Sequence, residues 1–142
     1  MKKKLKKIKV ISLKKISNTK GDVWHAVKSN EKHFYRFGEL YFSWIKPGKI
    51  KAWKYHKKMT MSLIVPVGNV LCVFFDEYNK KFVKINIGDK NYKKIIVPPG
   101  YIFGFKNISN NKSLIANFAD IIHDKNEQVR INQKEIKYSW KK

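Results

Sequence analysis

Residues 47–76, PGKIKAWKYHKKMTMSLIVPVGNVLCVFFD, decide the fold. Ile50–His56 mixes apolar and polar residues in the manner of a half-buried strand. Lys57 and Lys58 make a charged break. Met61–Val67 and residues 70–76 are short apolar runs, and Gly68-Asn69 between them is a turn signal. The polar residues Lys51, Lys54, Tyr55 and His56 cluster where the first strand meets the break. A small antiparallel barrel builds a pocket in this way, with an apolar wall and a few ionisable groups near the mouth.

Working outward, the same signals recur. Strand-like runs cover residues 9–16, 22–27, 39–45, 82–87, 94–97, 101–105 and 113–122. Turn signals separate them, among them Pro47-Gly48, Gly88-Asp89, Pro98-Pro99-Gly100 and Asn110-Asn111. Only residues 28–37 and the segment from Asp124 read as irregular or weakly helical. About ten short strands at regular spacing predict an all-β protein. The reading is a double-stranded β-helix, the cupin jelly roll, in which residues 63–67 and 70–75 are inner strands. Phe82–Ile87, flanked by lysines that discourage edge pairing, is placed near a sheet edge.

Length and composition agree. A chain of 142 residues with 43% hydrophobic and 14% aromatic content holds a real core in one domain. The domain is taken as residues 1–142, with 1–8 and 124–142 as partly irregular tails. The single cysteine, Cys72, lies in an apolar run and reads as a buried structural thiol suited to a reducing cytoplasm. At the N-terminus Lys9, Lys14 and Lys15 interrupt any signal-peptide core, and no stretch approaches the length of a membrane span. The expectation is a cytoplasmic protein with no membrane partner.

The formal charge of +22 invites a nucleic-acid reading. Against it, the basic residues are nearly all lysine, with only Arg36 and Arg130 as arginines, and they are spread along the whole chain. Arginine is the usual choice for bidentate phosphate and base contacts. A solvated lysine surface is the preferred reading, and it still attracts anionic ligands such as nucleotide diphosphates.

The four histidines are His25, His33, His56 and His123. A cupin metal site wants a His-x-His pair, a carboxylate and a later histidine. Here the pair position reads Lys54-Tyr55-His56, and the later strand carries Phe103. Neither ammonium nor phenyl holds a metal, so no metal or other cofactor is expected. His56 is the candidate general acid or base, since imidazole titrates near neutrality; an exposed surface histidine is the alternative. Lys54 shares its strand face by the period of two. It could bind phosphate, support an enolate-like oxyanion, or act as a base, or it could be plain surface charge. Lys51, offset by one from that face, could reach a diphosphate from the rim. Glu39, Tyr41 and Ser43 alternate onto one strand face and could hydrogen-bond a sugar, or simply face solvent. Trp24, Trp44 and Trp53 could stack on a base or sugar, though core packing suits each as well.

Several stretches in order carry a family resemblance over residues 16–140. They include Gly21-Asp22-Val23-Trp24-His25, Phe37-Gly38-Glu39-Leu40-Tyr41-Phe42-Ser43, Pro98-Pro99-Gly100, Ala116-Asn117-Phe118-Ala119 and Ile136-Lys137-Tyr138-Ser139-Trp140. With them the chain resembles the dTDP-4-dehydrorhamnose 3,5-epimerase family of sugar-nucleotide cupins, in a short divergent branch. In that family an Arg-Gly-x-His segment supplies the base that takes the proton beside a 4-keto group. It matches residues 51–54, so Lys54 stands where the histidine would be. Met61 matches the enolate-supporting lysine, Phe103 a second histidine, and His123 falls near the acid tyrosine. The related 3,4-ketoisomerases carry His-x-His here, of which His56 keeps the second.

The resemblance implies a nucleotide-diphosphate sugar as ligand and a homodimer whose N-terminal strands pair across the interface. It also implies that Lys20, His25, Glu39 and Tyr41 line the pocket. The function expected is epimerisation or isomerisation of a nucleotide-linked 4-keto-hexose in cell-surface polysaccharide synthesis. Proton abstraction next to a carbonyl would proceed without metal, with His56 or Lys54 as base and His123 as acid. The alternative is a cupin that binds a nucleotide sugar and has lost catalysis.

Overall fold

Strand follows strand along the whole chain, as short β-branched runs broken by glycine and proline require. A computed structural model describes residues 3–141, so residues 1, 2 and 142 of the expected tails lie outside the described residues. The strands in chain order are β1 Lys9–Ser12, β2 Lys15–Ile16, β3 Val23–Trp24, β4 Glu39–Ile45, β5 Ile50–His56 and β6 Met61–Val67. They continue with β7 Asn69–Asp76, β8 Lys81–Gly88, β9 Lys93–Val97, β10 Ile102–Asn107, β11 Ser113–Ala119 and β12 Gln128–Arg130. One turn of 3-10 helix, Gln133–Glu135, follows.

Two five-stranded antiparallel sheets face each other, ordered β1-β9-β6-β11-β4 and β12-β5-β10-β7-β8. This is the jelly-roll arrangement that the sequence predicts. β6 and β7 are interior strands, and β8 is an edge. The core between the sheets is continuous through Leu63, Phe74, Ile95, Phe103 and Ile115. Cys72 is fully buried there, and burial pushes its thiol far above the usual range, so it stays an inert packing group. Gly68 alone joins β6 to β7. Its φ is 93°, and a Cβ would lie 2.0 Å from Ser113 Oγ, so only glycine fits this corner.

Residues 28–37 are irregular, whereas the segment from Asp124 holds strand β12 and the 3-10 turn, and each segment is tied down. Residues 28–37 form no helix. Lys94, 1% exposed on the outward face of β9, holds them by donating to Glu31 Oε1 at 2.6 Å and to Ala26 O at 2.9 Å. The C-terminal tail adds β12 alongside β5 and packs Trp140 on Trp53, with ring centroids 5.2 Å apart. Near the N-terminus, Tyr101 Oη donates to Lys6 O at 2.6 Å. Residues 28–37 and the N-terminal segment are thus docked by side chains, and the C-terminal tail by a short ladder and by side chains together.

Candidate functional site

A β-bulge in β5 builds the site. Across from β10, Lys54 pairs with Phe103 and Ala52 with Gly104, leaving Trp53 without a partner residue. The extra residue resets the alternation. Phe103 and Phe105 both point inward, and their partners Lys54 and Lys51 do likewise. The expected one-residue offset of Lys51 from the Lys54 face is thereby corrected, because simple period-two counting does not survive a bulge. Trp53 turns the other way, into a cluster with Val73, Ile102 and Trp140.

The two lysines face a cavity of about 800 Å³, a size that takes a small organic ligand. It opens between the sheet edges formed by β4 and β12. Its wall is Met61, Leu63, Phe103, Phe105 and Ile115, and its polar groups are Tyr41, Ser43, Lys51, Lys54, Asn117, Arg130 and Asn132. Lys51 bridges the sheets at the rim, donating from Nζ to Ser43 Oγ at 3.1 Å and Trp44 O at 2.9 Å. Asn117 Nδ2 donates to Tyr41 Oη at 2.9 Å, while its Oδ1 is buried without a partner. Burial holds the Tyr41 phenol above its ordinary pKa, so it stays protonated.

Lys54 is half-buried, and its Nζ makes no hydrogen bond or ion pair among the described residues. Burial lowers its pKa, and the charges of Arg130 and Lys51 lower it further.

His56 lies two residues further along the same strand but is not on the cavity wall. It is 2% exposed, and its ring stacks on Phe103 at 5.7 Å. Its Nδ1 donates to the Glu127 carboxylate. The other oxygen of Glu127 accepts from the backbone N–H groups of Lys58 at 3.1 Å and Met59 at 3.3 Å. Burial opposes ionisation of Glu127, but the bonds from His56, Lys58 and Met59 outweigh it and bring its pKa down. An ionised, acceptor-only Glu127 fixes the imidazole tautomer with Nδ1 protonated. Nε2 is then a bare lone pair, and it is buried without a partner. Burial lowers the His56 pKa despite Glu127.

Of the residues predicted for the site, the structure brings Tyr41, Lys51 and Lys54 to the cavity and sets His56 behind them. Glu39 and His123 sit together just outside, with His123 N donating to Glu39 Oε1 at 3.0 Å; the His123 side chain is exposed. Lys20 and His25 are not at the cavity. They flank β3, on the hairpin whose Trp24 packs over the outward face of the first sheet. Asn117, Glu127 and Arg130 lie outside the site candidates that the sequence yields. Each carried a signal: an amide within the apolar run of β11, one of few acids in a basic chain, and one of two arginines. Among the described residues no group of three or more His, Cys, Asp or Glu side chains could hold a metal ion.

No family model matches the chain. The spore coat polysaccharide biosynthesis protein SpsL of Bacillus subtilis is 26% identical over 142 residues, covering 94% of each chain. The crystal structure of a dTDP sugar isomerase from Desulfovibrio desulfuricans superposes with a TM-score of 0.89 at 30% identity, over 96% of this chain and 92% of that one. The dTDP-4-dehydrorhamnose 3,5-epimerase of Sulfolobus tokodaii shares the fold, with a TM-score of 0.81 at 20% identity over 92% of this chain and 80% of that one. With this fold, this cavity and near full-length similarity, the chain belongs to the dTDP-4-dehydrorhamnose 3,5-epimerase-like family of sugar-nucleotide cupins.

Proposed function

We propose that the protein is a nucleotide-sugar 4-keto-hexose epimerase or isomerase of cell-surface polysaccharide synthesis, acting by metal-independent proton abstraction next to a carbonyl. The observation that carries this reading is the position of Lys54, an unpaired amine lining the same cavity as the hydrogen-bonded Tyr41 and Asn117. The named activity of the Desulfovibrio relative and the pathway of SpsL support it.

A C–H bond beside a ketone gives up its proton only where the developing oxyanion is stabilised. In this reading the carbonyl faces Lys54, and Tyr41 and Asn117 orient the sugar. Lys51 and Arg130 take the diphosphate nearer the mouth, where lysine and arginine suit phosphate oxygens. His56 is the base, through Nε2, with Glu127 as its positioning residue. The Phe103 ring must turn aside as the sugar seats. Tyr41, protonated and on the wall, returns the proton, and His123 is the rival donor at the rim.

We further propose a homodimer. β4 is an edge strand, and its outward residues Leu40, Phe42 and Trp44 are 49%, 62% and 52% exposed. An apolar stripe beside unpaired strand backbone suits a second copy of the chain. Pairing of N-terminal strands there would carry Lys20 and His25 toward the partner's cavity. The free, buried Cys72 thiol suits a cytoplasmic enzyme.

The test is proton NMR of a dTDP-4-keto-6-deoxyhexose incubated with the protein in D₂O. Loss of the C3 or C5 proton signal, or migration of the keto group, is expected. Tight binding with neither change would overturn the catalytic reading and leave a nucleotide-sugar-binding protein.

A further inference from the structure

Lys54 has a chemistry that histidine in its place would lack. A primary amine is a nucleophile toward a ketone, provided it is unprotonated and not tied up by an acceptor. In the cavity Lys54 Nζ has no hydrogen-bond acceptor or carboxylate in contact among the described residues. The bulge at Trp53 puts Lys51 on the same inward face, and Arg130 pairs directly across from Lys54 on β12. Burial and the charges of Arg130 and Lys51 disfavour an ammonium at this position, and the carboxylate of Glu127 opposes them by less. Desolvation beside other cations favours the neutral, nucleophilic form of a lysine, and the Lys54 pKa is lowered in that direction, chiefly by burial.

We propose that Lys54 is a covalent catalyst, forming an imine with the carbonyl of the 4-keto-sugar so that the neighbouring proton leaves an iminium rather than a ketone. The inference rests on the reading of the cavity as a keto-sugar site. Neutral Nζ adds to C4, and its proton passes to the former carbonyl oxygen. A further proton drawn from solvent lets that oxygen leave as water, and the nitrogen, keeping its second hydrogen, becomes a protonated imine. His56 Nε2 then takes a proton from the adjacent carbon, and the C–H electron pair moves to give an enamine. Tyr41 returns a proton to the carbon from the other side and recovers one from solvent. Water adds back, expels neutral Nζ and restores the ketone, while the proton drawn at dehydration and the proton held by His56 return to solvent. One water is released and one consumed, with no net redox change. The positive nitrogen of the iminium supplies the electron sink that an enolate would otherwise need, so the methionine at position 61 leaves no gap in the chemistry.

The experiment incubates the protein with a dTDP-4-keto-6-deoxyhexose and sodium cyanoborohydride, then maps peptides by mass spectrometry. In parallel, unreduced samples in H₂¹⁸O and D₂O are followed for label at C4 and at C3 or C5. The proposal predicts a reductant-dependent adduct on Lys54 of substrate mass less one oxygen atom. It also predicts ¹⁸O entry at C4 at least as fast as deuterium entry at carbon. Lys54→Arg, which keeps the charge, is expected to lose both labels above background. Deuterium exchange with no Lys54 adduct and no catalysed ¹⁸O entry would overturn the imine and leave the epimerase reading standing. Adducts only on the chain's other lysines would overturn it too. Absence of every label and adduct would remove both the imine and the reading beneath it.

Discussion

Glu127 accepts a hydrogen bond from Nδ1 of His56 across 71 residues of sequence, between side chains 4% and 2% exposed. The pair ties the C-terminal segment to the innermost end of β5 and fixes which imidazole nitrogen is bare. Both groups titrate below their ordinary values, His56 chiefly through burial and Glu127 through the hydrogen bonds it accepts.

Acid should therefore weaken the fold. The unfolded chain protonates His56 near its ordinary pKa of 6.5, whereas the folded chain resists until lower pH. Over that window the unfolded state binds more protons, so stability falls as pH falls. Glu127 adds the same sign further down, its contribution present above the ordinary value of 4.5 and lost as pH drops through its lower folded value. Urea titrations from neutral pH to about pH 5 should show a falling midpoint, less steep in His56→Gln. A midpoint unchanged over that range would contradict the assignment. At neutral pH, Glu127→Ala should cost about 1–3 kcal/mol, because it leaves Nδ1 and two backbone N–H groups without their acceptor.

Tyr41 and His123 compete for the role of proton donor. Tyr41 is on the cavity wall, and its phenol is held protonated by burial. Tyr41→Phe should lower kcat by about 100-fold with little change in KM, whereas His123→Ala should stay within about threefold of wild type. The reverse order would move the acid to the rim.

Lys51 and Arg130 should govern nucleotide binding. Either lysine or arginine replaced by methionine at these positions should weaken dTDP binding by about tenfold, equivalent to about 1.4 kcal/mol. Calorimetry at two salt concentrations would show it. Unchanged affinity in both Lys51→Met and Arg130→Met would place the diphosphate elsewhere.

The stripe on β4 predicts association. Sedimentation should report a dimer for the wild type and a monomer for Phe42→Glu/Trp44→Glu, since buried charge at an interface core costs far more than at a surface. A monomeric wild type at micromolar concentration would remove the homodimer.

The fold was legible because its determinants are local. Glu39–Ile45, Ile50–His56 and Met61–Val67 can be drawn from alternation and turn residues, and the observed strands have the same limits. The site was half legible. Tyr41 and Lys54 follow from strand faces. The common face of Lys51 and Lys54 does not, because it depends on a bulge visible only in the pairing of β5 with β10. Burial of His56 was hidden for a different reason. It depends on Glu127, which comes from a tail with hardly any strand signal and meets β5 only in three dimensions. Long-range polar pairs leave no periodic trace in sequence.

Hydrogen–deuterium exchange reads proton abstraction next to a carbonyl in the Lys54 cavity without an intermediary. A dTDP-4-keto-6-deoxyhexose in D₂O with excess chelator should gain deuterium at C3 or C5, or shift its keto group, with wild-type protein, and should stay unlabelled with Lys54→Met/His56→Gln. Substrate that binds the wild type yet neither exchanges nor isomerises would contradict the account.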